Sequence, residues 1–429
     1  MPIHSCSPVS SVPARDTART RRLVAMLALY WLLLGSVPAS AASWVGTWTA
    51  SPQPTWSQDF AFPTKIPETV RDQTFRQVVK ISLGGSRFRF LFSNAYGDKP
   101  LTIGAASVAV ACQRCRAFTG SIRKITFGGR DSIVIPPGAP AISDPVALRV
   151  SSQAHLFIST YLPRETELKT FHWDGRQTAS FGPGDLTRSI EFPRGAKTDA
   201  RILLSEVLVD APNSGSVVVL GDSITDGNGA TVDADTRWPD FLAKRLLPYQ
   251  VTVLNAGISG ARLLQEKMGA SAAARLDRDV FAQPNVKAVI LLIGINDIAW
   301  PGTAFAPHQT RPSVEAMIAG YKQFVALAHA HNIRVFGGTL TPFEGALPGT
   351  PLANYYDAEK DALRQRVNRW LRTGTVFDGL VDFDRILRDR AHPARLAPAF
   401  DSGDHLHPGD KGNEAMANAI DLKALLGGY

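Results

Sequence analysis

Ser216-Val-Val-Val-Leu-Gly-Asp-Ser-Ile-Thr-Asp-Gly227 is the stretch on which the fold turns. Its apolar, largely β-branched run ends abruptly at Gly221, Asp222 and Ser223, and more small and polar residues follow. That is the pattern of a buried strand entering a polar loop, and open parallel sheets build their sites outside the carboxyl ends of strands. On these residues alone an ordinary strand-to-turn junction reads the same way, so the flanking sequence must decide.

Downstream, apolar strands at Val217–Leu220, Val251–Leu254, Ala288–Ile293, Val335–Thr339 and Leu380–Phe383 alternate with helical segments. The helices are expected at about Arg237–Leu247, Arg262–Val280, Ser313–His331, Ala353–Leu371 and Gly409–Leu425. Such alternation implies an α/β unit, a parallel sheet covered on both faces. Upstream, Trp44 to Asp210 carries short alternating runs: Gln77–Ser93 around Gly84-Gly85, Leu101–Ala111, Ser132–Ile135, Val146–Val150, Leu156–Tyr161 and Ile202–Val209. Alternation on both sides of a Gly-Gly pair predicts a hairpin, and the recurrence of short strands predicts an all-β sandwich or jelly roll. Pro212-Asn213-Ser214-Gly215 has the composition of a linker, which divides the chain into 42–212 and 213–429.

Residues 1–41 are of another kind. Arg15, Arg19, Arg21 and Arg22 precede the apolar run Leu23–Leu34 and the small residues Ala39-Ser40-Ala41. This is the order of a secretory signal peptide cleaved after Ala41, and the expected location is secreted or periplasmic. A membrane anchor is the rival reading, but the run is short of the ~20 apolar residues a spanning helix needs. Arg21-Arg22 is a poor twin-arginine match in its context. Removing four Arg and one Asp with this segment lowers the formal charge from +8 to +5, with no block of like charges. No nucleic-acid footprint is present in such a distribution. Of the three cysteines, Cys6 leaves with the signal, and Cys112 and Cys115 stand as Cys-Gln-Arg-Cys. In an oxidising compartment a local disulfide is the preferred reading over a redox or zinc motif.

The chemistry-bearing residues follow the strands. Gly221-Asp222-Ser223, Asn255-Ala256-Gly257 and Gly294-Ile295-Asn296-Asp297 all fall on one edge of a parallel sheet. After the last strand comes Asp401-Ser402-Gly403-Asp404-His405-Leu406-His407-Pro408. An acid three residues before a histidine can turn its carboxylate to Nδ1 and leave Nε2 outward, as a weak serine hydroxyl requires of its base. Asp401 with His405 is a competing pair, and a metal held by Asp and His is a third reading, without the usual zinc spacings. Asp222 is read as structural, since neighbours at a strand end point apart. His329 and His331 are read as solvated or capping, and Trp238 and Trp370 as core or groove wall.

Those four blocks, Gly221-Asp222-Ser223-Ile224, Gly257, Gly294-Ile295-Asn296-Asp297 and Asp404-His405-Leu406-His407, resemble in order the blocks of the SGNH, or GDSL-type, hydrolases. The resemblance covers most of 216–420 and implies a flavodoxin-like three-layer fold and ester hydrolysis. It implies Ser223 as nucleophile, His407 as base and then acid, Asp404 as orienting carboxylate, and an oxyanion hole of the Ser223 and Gly257 N–H groups and the Asn296 amide. No cofactor or metal is implied. The serine does not sit in a G-x-S-x-G elbow, so the sequence is not that of an α/β-hydrolase. The expected substrate is a small-molecule or polysaccharide ester carrying small acyl groups. Lipid or aryl esters, and acyl transfer by the same triad, are the alternatives, with a non-enzymatic binding protein further behind. Trp300–Pro312, with Phe305, is expected to form an apolar wall beside Asn296. No membrane span is expected after cleavage, and the oligomeric state is not readable.

Overall fold

The computed structural model describes residues 42–113, 116–192 and 195–427. The signal-like segment 1–41 and Cys115, with the Cys112–Cys115 pairing, lie outside the described residues; Cys112 is exposed. Ser43 to the C-terminus forms one compact unit.

Its N-terminal region is antiparallel β. Of its two larger sheets one has five strands, among them Trp44–Thr49, Leu204–Asp210 and Gly85–Ser93, and the other has seven, centred on Gln73–Lys80, His155–Leu162 and Ala105–Gln113; smaller sheets of two or three strands flank them. Phe75, Val79 and Ile158 of the second sheet share a core with Val45, Phe88, Phe90 and Val207 of the first. The expected Gly84-Gly85 hairpin does not form: Gln73–Lys80 pairs with His155–Leu162, whereas Gly85–Ser93 pairs with Leu204–Asp210 in the other sheet. The turn is an inter-sheet crossing. Gly84 serves it through close approach, because a Cβ there would lie 2.2 Å from the Val150 carbonyl oxygen.

The C-terminal region is α/β. Its sheet strands, labelled β1 (Gly215–Gly221), β2 (Val251–Gly257), β3 (Val286–Leu292), β4 (Arg334–Gly338) and β5 (Gly379–Val381), are parallel in the order β2-β1-β3-β4-β5. The helices are α1 (Ser223–Asp226), α2 (Trp238–Leu246), α3 (Ile295–Ala299), α4 (Val314–Ala330), α5 (Ala358–Thr373), α6 (Phe383–Leu387), α7 (Asp410–Asn418) and α8 (Leu422–Leu426). β1 is buried throughout because both of its faces are covered: Val217 and Val219 join the core containing Trp238, and Val218 and Leu220 join the core containing Tyr321 and Phe324.

Two helices differ from expectation. Arg262–Val280 forms only a short 3₁₀ turn, Ala273–Arg275, and a π turn, Asp277–Phe281. The N–H groups of Leu263 and Leu264 donate to the Asp297 carboxylate instead of starting a helix, and Ala272 N–H closes a loop onto the Arg262 carbonyl. The final helix is split into α7 and α8, since Asp421 caps the second by accepting from Lys423 and Ala424 N–H.

The two regions are joined by more than a linker. Phe171, Trp173 and Ala200 of the β region belong to the same core as Val217 and Trp238. β2, an edge strand of the parallel sheet, is covered by the β region: Thr49 Oγ1 donates to the Asn255 carbonyl, and Ser82 Oγ both donates to the Val253 carbonyl and accepts from Val253 N–H.

Candidate active site

In the order β2-β1-β3-β4-β5 the crevice lies where the chain leaves β1 for one neighbour and returns on the other side, and it opens beyond the ends of β1 and β3. Ser223 follows β1 and Asn296 follows β3. Asp222 is the N-cap of α1, its Oδ1 accepting from Ile224 N–H at 3.1 Å. The other oxygen, Oδ2, is buried without a partner among the described residues. Burial pushes this carboxyl up to about 7, so it is no rival for the role of an ionised triad acid.

The segment 401–408 brings the histidines. Asp404 Oδ1 accepts from the N–H groups of Leu406 (2.9 Å) and His407 (2.8 Å), which fixes the carboxylate against its own turn. Its Oδ2 lies 2.6 Å from His407 Nδ1, and His407 Nε2 lies 2.8 Å from Ser223 Oγ. Burial opposes the charge on Asp404, but the His407 imidazole and these hydrogen bonds outweigh it and hold the carboxyl well below the ordinary range. The competing pair also forms: His405 Nδ1 meets Asp401 Oδ2, but the His405 ring is 48 % exposed and no bond links it to Ser223. His407 is buried.

Long-range contacts hold this loop in place. Gly229, with φ +87°, passes so close that a Cβ would lie 2.8 Å from His407 Cβ. Asp410 of α7 accepts from Thr231 and Thr236, and Asn413 accepts from Trp238 N–H while donating to the Pro408 carbonyl. Arg275, fully buried, donates to the carbonyls of Gly221 and Ala256 and pairs with Asp279, so one guanidinium secures the ends of β1 and β2.

The three expected oxyanion donors fare differently. Among the described residues none accepts from the Ser223 N–H. Asn296 is buried, its Nδ2 donating to the Ala261 carbonyl (2.9 Å) and its Oδ1 accepting from Tyr355 OH (2.7 Å), which fixes the amide and leaves one Nδ2 hydrogen. Burial raises the Tyr355 hydroxyl well above its ordinary value, so it remains a donor. Gly257 departs from expectation: its N–H donates to Asn255 Oδ1 at 2.9 Å. What Gly257 supplies is room, since a Cβ there would lie 2.2 Å from Asp226 N. Gly260, with φ +79°, is the glycine of this loop whose N–H meets no acceptor among the described residues. The second glycine of Gly257-Ile-Ser-Gly260 was the available signal for it. Tyr355 had none, because its contact with Asn296 spans 59 residues.

The expected apolar wall is also different. Phe305 is buried, packed on Trp300 (4.9 Å) and against Phe60 (4.7 Å) and Phe62 (5.1 Å) of the β region. It fills space rather than lining it. Among the described residues there is no cluster of three metal-ligating side chains, and no helix is long and apolar enough to cross a membrane.

A parallel sheet with serine, histidine and aspartate joined at its carboxyl edge is the arrangement of a serine hydrolase. Residues 219–415 match the model of the GDSL-like lipase/acylhydrolase family, and this part of the chain is a GDSL-like carboxylic ester hydrolase domain. Among solved structures, a carbohydrate acetylesterase family member from Sinorhizobium meliloti is similar at 17% identity, covering 50% of this chain and 99% of its own, with a TM-score of 0.39. A GDSL-like lipase from Bacteroides thetaiotaomicron is similar at 18% identity, with 49% and 87% covered and a TM-score of 0.36. An alpha/beta hydrolase enzyme from the metagenome of Lake Arreo, Spain, is similar at 26% identity, with 50% and 95% covered and a TM-score of 0.33. A search of curated proteins gives no match.

Proposed function

We propose that Ser223, His407 and Asp404 are the catalytic triad of an ester hydrolase that removes small acyl groups from carbohydrate or similar esters. The observation that carries this reading is the continuous hydrogen-bond chain from Asp404 through His407 to Ser223 Oγ. His407 Nε2 takes the Ser223 proton as Oγ bonds to the acyl carbon, and then gives it to the leaving alcohol as the ester C–O bond breaks. Water, deprotonated by the same nitrogen, attacks the acyl-enzyme and releases the acid and the serine. Asp404 keeps Nδ1–H oriented and stabilises the imidazolium. The oxyanion forms against the Ser223 N–H, the Asn296 amide and the Gly260 N–H, which replaces Gly257 in this reading.

The preference for small acyl groups is supported by the packing around Asn296. Trp300, Phe305 and Tyr355 are each buried among other side chains, so none of them offers an exposed apolar face to a long acyl chain. Export is proposed from residues 1–41 alone. Rates across 4-nitrophenyl esters from acetyl to palmitoyl, with acetate release from acetylated glycans, test the substrate reading. Acetate and propionate are expected to be fastest; a maximum at long chains overturns it in favour of lipid esters.

A further inference from the structure

His172 of the β region reaches the opposite end of the helix that begins with Ser223. It lies at the end of strand Thr170–His172, is 4 % exposed, and uses both ring nitrogens. Nδ1 is 3.0 Å from the Ser51 carbonyl oxygen, and Nε2 is 2.9 Å from Asp226 Oδ1. A carbonyl and a carboxylate can only accept, so both nitrogens must carry hydrogen, and this imidazole is an imidazolium. Asp226, 1 % exposed, presents its other oxygen to Ser259 N–H (2.9 Å) and Ser259 Oγ (2.8 Å). Ser259 immediately precedes Gly260, and Asp226 is the last residue of α1.

One carboxylate therefore ties together the β region, the helix of Ser223 and the loop of Gly260. We infer that His172 is a positioning residue of the active site, which as a cation holds Asp226 so that the Ser223 helix and the Gly260 loop keep their spacing. The inference rests on the triad reading above. Four-residue α1 has little rigidity of its own, since isolated short helices are unstable. The spacing of Ser223 N–H and Gly260 N–H must come from ties to other segments, and Asp226 is the side chain that touches both. Hydrogen bonding, rather than charge balance, singles out His172 as the cation that holds Asp226. Asp174 of the adjoining β segment adds a second carboxyl near Asp226, while Arg237, Arg275 and Arg201, the last paired in register with His172, supply positive charge at a distance. None of the three arginines hydrogen-bonds Asp226; His172 does.

The test compares His172→Gln, Asp226→Asn, the double variant and Ser259→Ala in the full chain, using 4-nitrophenyl acetate turnover, labelling by a fluorophosphonate and a thermal melt. The expected result for either of the first two variants is a fall in kcat of roughly 10- to 100-fold with KM within about 3-fold, and a parallel slowing of labelling, because alignment in the transition state is lost while substrate binding is kept. The double variant is expected to be no slower than the slower single one, since all act through one chain of contacts. Should His172→Gln lose its cooperative melt, the double variant and Ser259→Ala decide, as neither leaves a buried charge at Asp226 unpaired. Wild-type kcat in those folded variants, or losses that multiply in the double variant, overturns the inference. The triad reading fails separately, by activity surviving in Ser223→Ala.

Discussion

The two ends of α1 carry the same kind of side-chain chain, and the roles proposed for them are opposite. At the first residue, Ser223 meets His407 backed by Asp404; at the last, Asp226 meets His172 backed by the Ser51 carbonyl. What differs is the partner on each ring nitrogen. His407 has a carboxylate on one side and a hydroxyl on the other, so Nε2 is able to accept a proton and return it. His172 has acceptors on both sides and is locked as a donor. The lesson is that a histidine–aspartate pair is not in itself a catalytic signature; the atom on the far nitrogen decides whether it moves protons or holds parts together.

That contrast can be broken at several points. Ser223→Ala has the largest expected effect, a loss of ester turnover of roughly 10⁴-fold or more with an unchanged melting temperature. Retained turnover of an activated acetate ester would remove Ser223 from the mechanism. Next, Asp404→Asn is expected to lower kcat by about 10²- to 10⁴-fold through loss of the oriented tautomer, whereas Asp401→Asn changes it by less than about 3-fold. Equal effects would mean that the exposed Asp401–His405 pair shares the work. Tyr355→Phe comes third, with kcat about 10-fold lower and KM little changed, because the Asn296 amide loses the bond that fixes it. An unchanged kcat would show that the Ala261 carbonyl alone orients that amide.

The smallest effect on rate is expected from Asp222→Asn, which keeps a capping side chain and removes a buried acid. Asp222 is raised to about 7 in the folded chain, against an ordinary carboxyl near 3.9 in the unfolded one. The folded state therefore holds the proton more tightly, and this group's contribution to stability is present below about pH 4 and lost as pH rises to about 7. The variant should gain on wild type in unfolding free energy at pH 8 and not at pH 4, by up to a few kcal/mol at about 1.4 kcal/mol per unit. Turnover should stay within about 3-fold. A gain at pH 4 as large as at pH 8 would show that the acid is ionised in the fold.

Sequence carried the near-range part of this architecture. β1, the polar segment that leaves it and the Asp404-x-x-His407 pair are local patterns, and each formed where its residues pointed, the first residues of that segment closing into the short helix capped by Asp222. Misreadings arose where distant groups overrode local preference. The alanine-rich 262–280 stretch has helical propensity, but Asp297 captures its first N–H groups and Arg275 is drawn inward to the ends of two strands. Gly84-Gly85 looks like a hairpin turn because alternation reports which faces are buried and not which strand is the neighbour. His172, Tyr355 and Asn413 had no local signal at all, since their meaning lies in partners 54, 59 and 175 residues away.

The cover over β2 also bears on how much of this chain can stand alone. β5, at the other edge of the sheet, has three residues and offers little to a stray strand, while β2 has seven. Long bare edges recruit other chains. Cutting the chain at residue 213 would strip Thr49 and Ser82 from Asn255 and Val253, along with the wall behind Phe305. A fragment beginning at residue 213 is therefore expected to expose that edge and self-associate, whereas one beginning near Ser43 keeps it covered.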